Sequence, residues 1–143
     1  MKKGTAPIYE LIPHTADIGI RVFGKNNEKL LKNTIYAFFD VLVGIKSINK
    51  KVEKVLKIKA DNLEDLLFNL LDELLFIFST KKMIFKESKV SFIRENQIVV
   101  KLKGQKFDPS KHKVKTDIKA VTYHDFKIKK EKNKLIAEVI FDI

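Results

Sequence analysis

The sequence predicts an α+β fold with two α-helices among runs of strands, and three observations predict it. Two apolar stripes keep helical spacing, one from Leu30 to Leu42 and one from Leu63 to Phe78. Short alternating segments bounded by Gly, Pro and Asn occupy most of the remainder. Strands come in runs and do not alternate one by one with helices, which argues against a parallel βαβ arrangement.

Each element follows from local chemistry. Tyr9 to Leu11 and Ile18 to Phe23 read as short strands, the second with Ile18, Ile20 and Val22 on one face. Asn26 or Asn27 caps the first helix, whose Leu30, Leu31, Thr34, Ile35, Phe38, Val41 and Leu42 form one face. Gly44 supplies the residue that a helix C-terminus needs. Asp40, near that end, opposes the helix dipole and reads as an exposed acid or, more sharply, as a partner contact. Lys51 to Ala60 is a half-wet strand. Asp61 caps the second helix and Glu64 completes a capping box. Its Leu63, Leu66, Leu67, Leu70, Leu71, Leu74, Leu75 and Phe78 make a core stripe, with Asp65, Asp72 and Glu73 facing solvent. Met83 to Phe85 and Lys89 to Ile93 are strands, and Glu95-Asn96 turns into a strand from Gln97 to Leu102. Asp108-Pro109 holds a loop from Gly104 to His112. Val114 to Tyr123 reads as a bent strand. Phe126 to Lys129 and Leu135 to Phe141 read as a hairpin across Lys130 to Lys134.

The chain has 143 residues, 45% of them hydrophobic, which predicts a single domain over 1–143 with a core of its own. It has no Cys, which excludes disulfides, zinc–thiolate sites and a catalytic thiol. Met1-Lys2-Lys3-Gly4 is followed by no apolar signal region, so a cytoplasmic location is expected. Leu63 to Phe78 is interrupted by Glu64, Asp65, Asn69, Asp72 and Glu73, so no membrane partner is expected. The net charge is +11. Such a surface attracts nucleic acid, acidic lipid or an acidic protein face. The lysines are scattered along the sequence, which favours a solvated surface over a nucleic-acid groove. Arginines interleaved with aromatics, the mark of base stacking, are missing.

Two stretches carry candidate chemistry. In Pro13-His14-Thr15-Ala16-Asp17-Ile18-Gly19-Ile20, Pro13 marks the edge of a strand. His14 and Asp17 then lie where a loop enters that strand, as a turn-stabilising pair or as groups presented to a partner. The sequence ends on Val139-Ile140-Phe141-Asp142-Ile143. If this apolar end is tied down, an α-carboxylate comes to lie beside Asp142, and two such anions repel unless a cation binds them. A hard divalent ion with oxygen ligands would serve, with Asp17 as a further oxygen donor. A frayed end is the plainer reading. Lys119 and His124 could bind phosphate or exchange protons, against the plainer reading of a surface Lys and a partly buried His. There is no nucleophile–base pair, P-loop or G-x-G-x-x-G.

Three motifs in order resemble the signatures of the archease family: Leu11 to Ile20, Ile118-Lys119-Ala120-Val121-Thr122-Tyr123-His124, and Val139 to Ile143. The resemblance covers essentially the whole chain, including the leucine-rich helix from Leu63. It implies an archease-like fold, β-sheets packed around two α-helices, and a non-enzymatic function, as an accessory protein of the RtcB-type RNA ligase of tRNA splicing. Such a protein promotes guanylylation of the ligase from GTP and its multiple turnover. It also implies a divalent metal ion, Ca²⁺ first and Mg²⁺ or Mn²⁺ as alternatives, held by Asp17, Asp142 and Ile143, the last through a main-chain or terminal oxygen. His14, Lys119 and His124 are implied as further functional contacts, and tRNA or other RNA as a further partner. One departure is Gln105, where the family often has an acid after the glycine. Another is Leu135 or Ile136 in place of an aromatic in the last hairpin, read as packing only. Two competing readings are a basic RNA-binding chaperone or adaptor in tRNA processing and an autonomous metal-dependent hydrolase.

Overall fold

A computed structural model describes residues 7–13 and 17–143. In chain order the elements are β1 (Tyr9–Pro13), β2 (Asp17–Gly24), α1 (Asn27–Leu42), a 3₁₀ turn (Ile45–Ser47), β3 (Val52–Lys59), α2 (Leu63–Lys81), β4 (Met83–Arg94), β5 (Gln97–Lys106), β6 (Ala120–Glu131) and β7 (Lys134–Asp142). They form a four-stranded sheet of order β1-β2-β7-β6 and a three-stranded sheet of order β3-β5-β4. Every strand pairing is antiparallel. The α+β class and the two helices are as the sequence predicts.

Helix α1 lies between the two sheets, against β2 and β7 of one and β4 of the other. Phe38 meets Phe141 of β7 edge-on, with ring centroids 5.9 Å apart, while Phe39 meets Phe85 of β4 at 5.6 Å. Adjacent phenylalanines thus reach opposite sheets. This corrects the expected single apolar face: Ala37 and Phe39, outside the predicted stripe, are fully buried. A helix clamped between two layers needs apolar residues on more than one side. The predicted Asn26 cap is present, its side chain accepting from the Lys29 N–H at 2.8 Å. Gly44 has φ 89°, and its N–H reaches the Phe39 and Asp40 carbonyls.

Asp40 is not the exposed surface acid of the plainer reading: it is half-buried and bonded within the fold. It accepts a hydrogen bond from the Tyr9 hydroxyl at 2.8 Å and another from the Ile45 N–H at 2.9 Å. It ties β1 and the turn after α1 to the helix, which offsets its poor position in the dipole. Burial, then the Asp40 carboxylate, raise the Tyr9 phenol above its usual range.

On α2 the leucine stripe from Leu66 to Leu75 is buried as expected. The cap is Asn62 and not Asp61: its side chain accepts from the Asp65 N–H at 2.8 Å, so the box with Glu64 does not form. Asn62 has the extended backbone of a cap, and the helix begins one residue later than expected. Strand β4 is one continuous strand across the two expected, with its register shifted between Phe85 and Glu87. The segment before Ala120 is not a strand. The Lys115 N–H donates to the Leu42 carbonyl at 2.8 Å, so its bonding capacity serves the end of α1.

Candidate functional site

The pairing of β2 with β7 sets Asp17 directly opposite Asp142. The pairing of β6 with β7 sets Ala120 opposite the same Asp142. Directly opposed residues of antiparallel strands project on the same face, their Cβ atoms about 5 Å apart. The two aspartates, 125 positions apart in the numbering, therefore form one acidic row at the end of the four-stranded sheet. Asp17 is half-buried with its Oδ1 shielded from solvent, and Asp142 is exposed. Like charges directly opposed on a sheet destabilise it. Oxygen donors of this kind suit a hard divalent cation, which would offset their repulsion.

Of the other expected site residues, Ile143 follows directly on β7 and is 44% exposed. The Lys119 N–H donates to the Asp142 main-chain carbonyl at 2.7 Å, which fixes the start of β6 against the end of β7. His14 lies outside the described residues. His124 is exposed, not partly buried as expected, and its Nε2 is 3.4 Å from Asp125 Oδ2. It sits in the irregular stretch between Thr122 and Lys127, where β6 breaks its register with β7. Asp125 there has φ 52°. Tyr123 in the same stretch stacks on Phe68 of α2 with centroids 3.8 Å apart. Among the described residues no three His, Cys, Asp or Glu side chains gather as a metal site. Gln105 is engaged elsewhere: its Oε1 accepts from the Asn49 N–H at 2.7 Å, in the other sheet. Ile136 is buried and Leu135 half-buried, in keeping with a packing role.

Two rows further along the same face, Arg21 links three strands. Its Nε donates to Glu138 of β7 and its Nη1 to Glu10 of β1, each at 2.7 Å, and Lys127 of β6 lies 3.5 Å from Glu138. The Arg21 hydrogen bond holds Glu138 below the usual carboxylate range. This ladder fixes the register that brings Asp17 to Asp142. Sequence reasoning missed it. The one available signal was that Arg21 is one of only two arginines in a lysine-rich chain.

Comparison with known proteins shows the family and the fold. Residues 9–143 match the Archease protein family (MTH1598/TM1083). Protein archease of Pyrococcus furiosus is 37% identical over 139 residues, covering 94% of this chain and 98% of that one. A protein archease-like of Dictyostelium discoideum is 36% identical over 140 residues, covering 94% and 93%. The solution structure of protein 1598 of Methanobacterium thermoautotrophicum superposes with a TM-score of 0.81 at 27% identity, covering 95% of this chain and 99% of that one. The crystal structure of an archease, possible chaperone, from Thermotoga maritima gives a TM-score of 0.67 at 25% identity over the full length of both. With residues 9–143 matched by the family and relatives 36–37% identical over nearly their whole length, the chain belongs to the archease family.

Proposed function

We propose that this protein is an accessory protein of an RtcB-type RNA-splicing ligase, promoting guanylylation of the ligase from GTP and its multiple turnover without catalysing a reaction itself. The observation that supports this reading best is the direct opposition of Asp17 and Asp142 beside Ile143. Their carboxylates, with a main-chain oxygen of Ile143, would hold a divalent cation, Ca²⁺, Mg²⁺ or Mn²⁺. Such an ion, when bound, supplies positive charge that offsets the two carboxylates and attracts triphosphate oxygens. The sheet end carrying them would be inserted beside the nucleotide pocket of the ligase. There Asp17 and Asp142 act by orienting groups that the ligase already uses. Lys119 and His124 line the approach, where an exposed ammonium and imidazole can meet phosphate oxygens. Acceleration would come from positioning and charge neutralisation.

The test is ligase guanylylation with Asp17→Ala and Asp142→Ala proteins shown to be folded. Loss of stimulation by both is expected. Stimulation equal to wild type by both ends the reading.

A further inference from the structure

Seven of the chain's 27 lysines, dispersed along the sequence, meet in one place. Two adjoining hollows, of about 650 and 660 Å³, meet at the start of α1 and share Asn26 and Glu28. Lys29, Lys32, Lys89, Lys101 and Lys103 line the first, and Lys25 and Lys130 the second. Against these seven stand Glu28, Glu53 and Glu87. Two of the three are already engaged, Glu53 with Lys103 at 4.0 Å and Glu87 at 3.6 Å with Lys50, which is not among the lining residues. Lys89 of β4 lies directly opposite Lys101 of β5. Like charges so opposed cost stability, and an anionic ligand would relieve that cost. The amino end of α1 adds positive potential at the junction.

The charge is not uniform over the surface. From residue 61 to residue 80 the chain carries Asp61, Glu64, Asp65, Asp72 and Glu73 and no Lys or Arg.

We infer that this groove binds the phosphodiester backbone of an RNA strand. Apolar lining is confined to Val90, Phe92 and Leu135, of which Val90 is only 8% exposed. A protein partner would need several anchoring aromatics or buried arginines, and the lining offers one half-buried aromatic, Phe92, and no Arg. A polyanion gains affinity by releasing counterions, which lysines alone can drive. The lining has a single half-buried aromatic, Phe92 in the second hollow, set against seven lysines, so contact is chiefly with phosphates and largely independent of sequence. The groove opens near the Gly24 end of β2, whereas Asp17 begins the same strand, about 25 Å away at strand rise. The protein can therefore hold RNA at one end while its acidic end engages the ligase. The choice of RNA over other polyanions rests on the ligase reading given above.

The test is fluorescence anisotropy of a labelled single-stranded RNA of about 20 nucleotides, without ligase, at about 50 and about 200 mM salt. With about five phosphates neutralised, affinity falls about 100-fold between these salts. Lys29→Gln/Lys32→Gln/Lys101→Gln removes three contacts, so binding weakens at low salt and the salt effect shrinks to less than about tenfold. Lys25→Gln/Lys130→Gln, in the second hollow, weakens binding independently. All five lysines are exposed, and circular dichroism checks that the variants fold. No RNA binding by wild type at low salt overturns the inference, as does wild-type affinity in the triple variant. So does tighter direct binding of a polyglutamate peptide of equal charge than of the RNA at the same salt, which would mark an acidic protein as the ligand. Ligase guanylylation measured in parallel separates the two readings. RNA binding without stimulation removes only the ligase role, and stimulation without RNA binding removes only the groove.

Discussion

Divalent cation should stabilise this protein through Asp17 and Asp142 together, and the size of the effect can be worked from their pairing. Two carboxylates about 5 Å apart repel by about 1 kcal/mol at the dielectric of water and about 3 kcal/mol at an effective value of 20. Asp17 is half-buried and Asp142 exposed, so the real figure lies between these bounds. A double-mutant cycle with Asp17→Asn and Asp142→Asn in chelator should show an unfavourable coupling of that size. The cycle cancels whatever else each side chain touches. Cation added at about 100 times its dissociation constant should then stabilise wild type by about 2.7 kcal/mol. At about 3 °C per kcal/mol for a chain of this length, that raises the melting temperature by about 8 °C. Melting curves in chelator and in millimolar Ca²⁺ or Mn²⁺ measure it. Each single variant should lose most of the rise. An equal rise in wild type and in the double variant would refute the reasoning, because the ion would then bind elsewhere.

Three further predictions concern the frame around that row. Asp40→Ala should cost about 2–3 kcal/mol by leaving the Ile45 N–H and the Tyr9 hydroxyl without their acceptor, and Tyr9→Phe only about 1 kcal/mol, both read from urea denaturation. Gly104→Ala should destabilise by about 3 kcal/mol or more, or prevent folding. Its Cβ would fall 2.0 Å from the Ile84 carbonyl oxygen, a backbone atom that cannot turn aside; wild-type melting by that variant would refute this. Glu138 is held below its ordinary carboxylate range by Arg21, so its contribution is present above about pH 4.3 and lost as pH falls through its lowered folded value. Glu138→Gln should therefore flatten the acid limb of the stability profile, and an unchanged limb would count against the ladder.

Much of this fold was legible because its signals are local. The stripe from Leu66 to Leu75 and the Asn26 cap depend on neighbours within a turn or two of helix, and both stand as read. Errors arose where a distant element decided the outcome. Phe39 and Ala37 fell outside the predicted face of α1 because a second sheet, invisible to periodicity, lies on that side. Residues 114–119 have strand-like composition, yet the end of α1 takes their hydrogen bond. Asp40 looked misplaced until Tyr9 was brought to it. At the candidate site, the sequence motifs named Asp17 and Asp142. Only the register of β2 on β7 shows them side by side. The lysine groove could not be read at all, since its seven lysines come from α1, the residue before its cap and three strands of two different sheets.

The position of β7 between β2 and β6 has a consequence for how the chain reaches this state. Arg21 and Glu138, which bind across that seam, are 117 residues apart. Until residues 134–142 have been synthesised, the β1–β2 hairpin exposes a bare edge and β6 has no neighbour on which to align. By contrast, β3, α2, β4 and β5 are contiguous in the chain and can assemble early, since closing short loops loses less chain entropy. Joining the distant seam is then the slow event, as non-local pairings generally are. The acidic row comes into being only at that moment, so the coupling between Asp17 and Asp142 reports that the protein has finished folding.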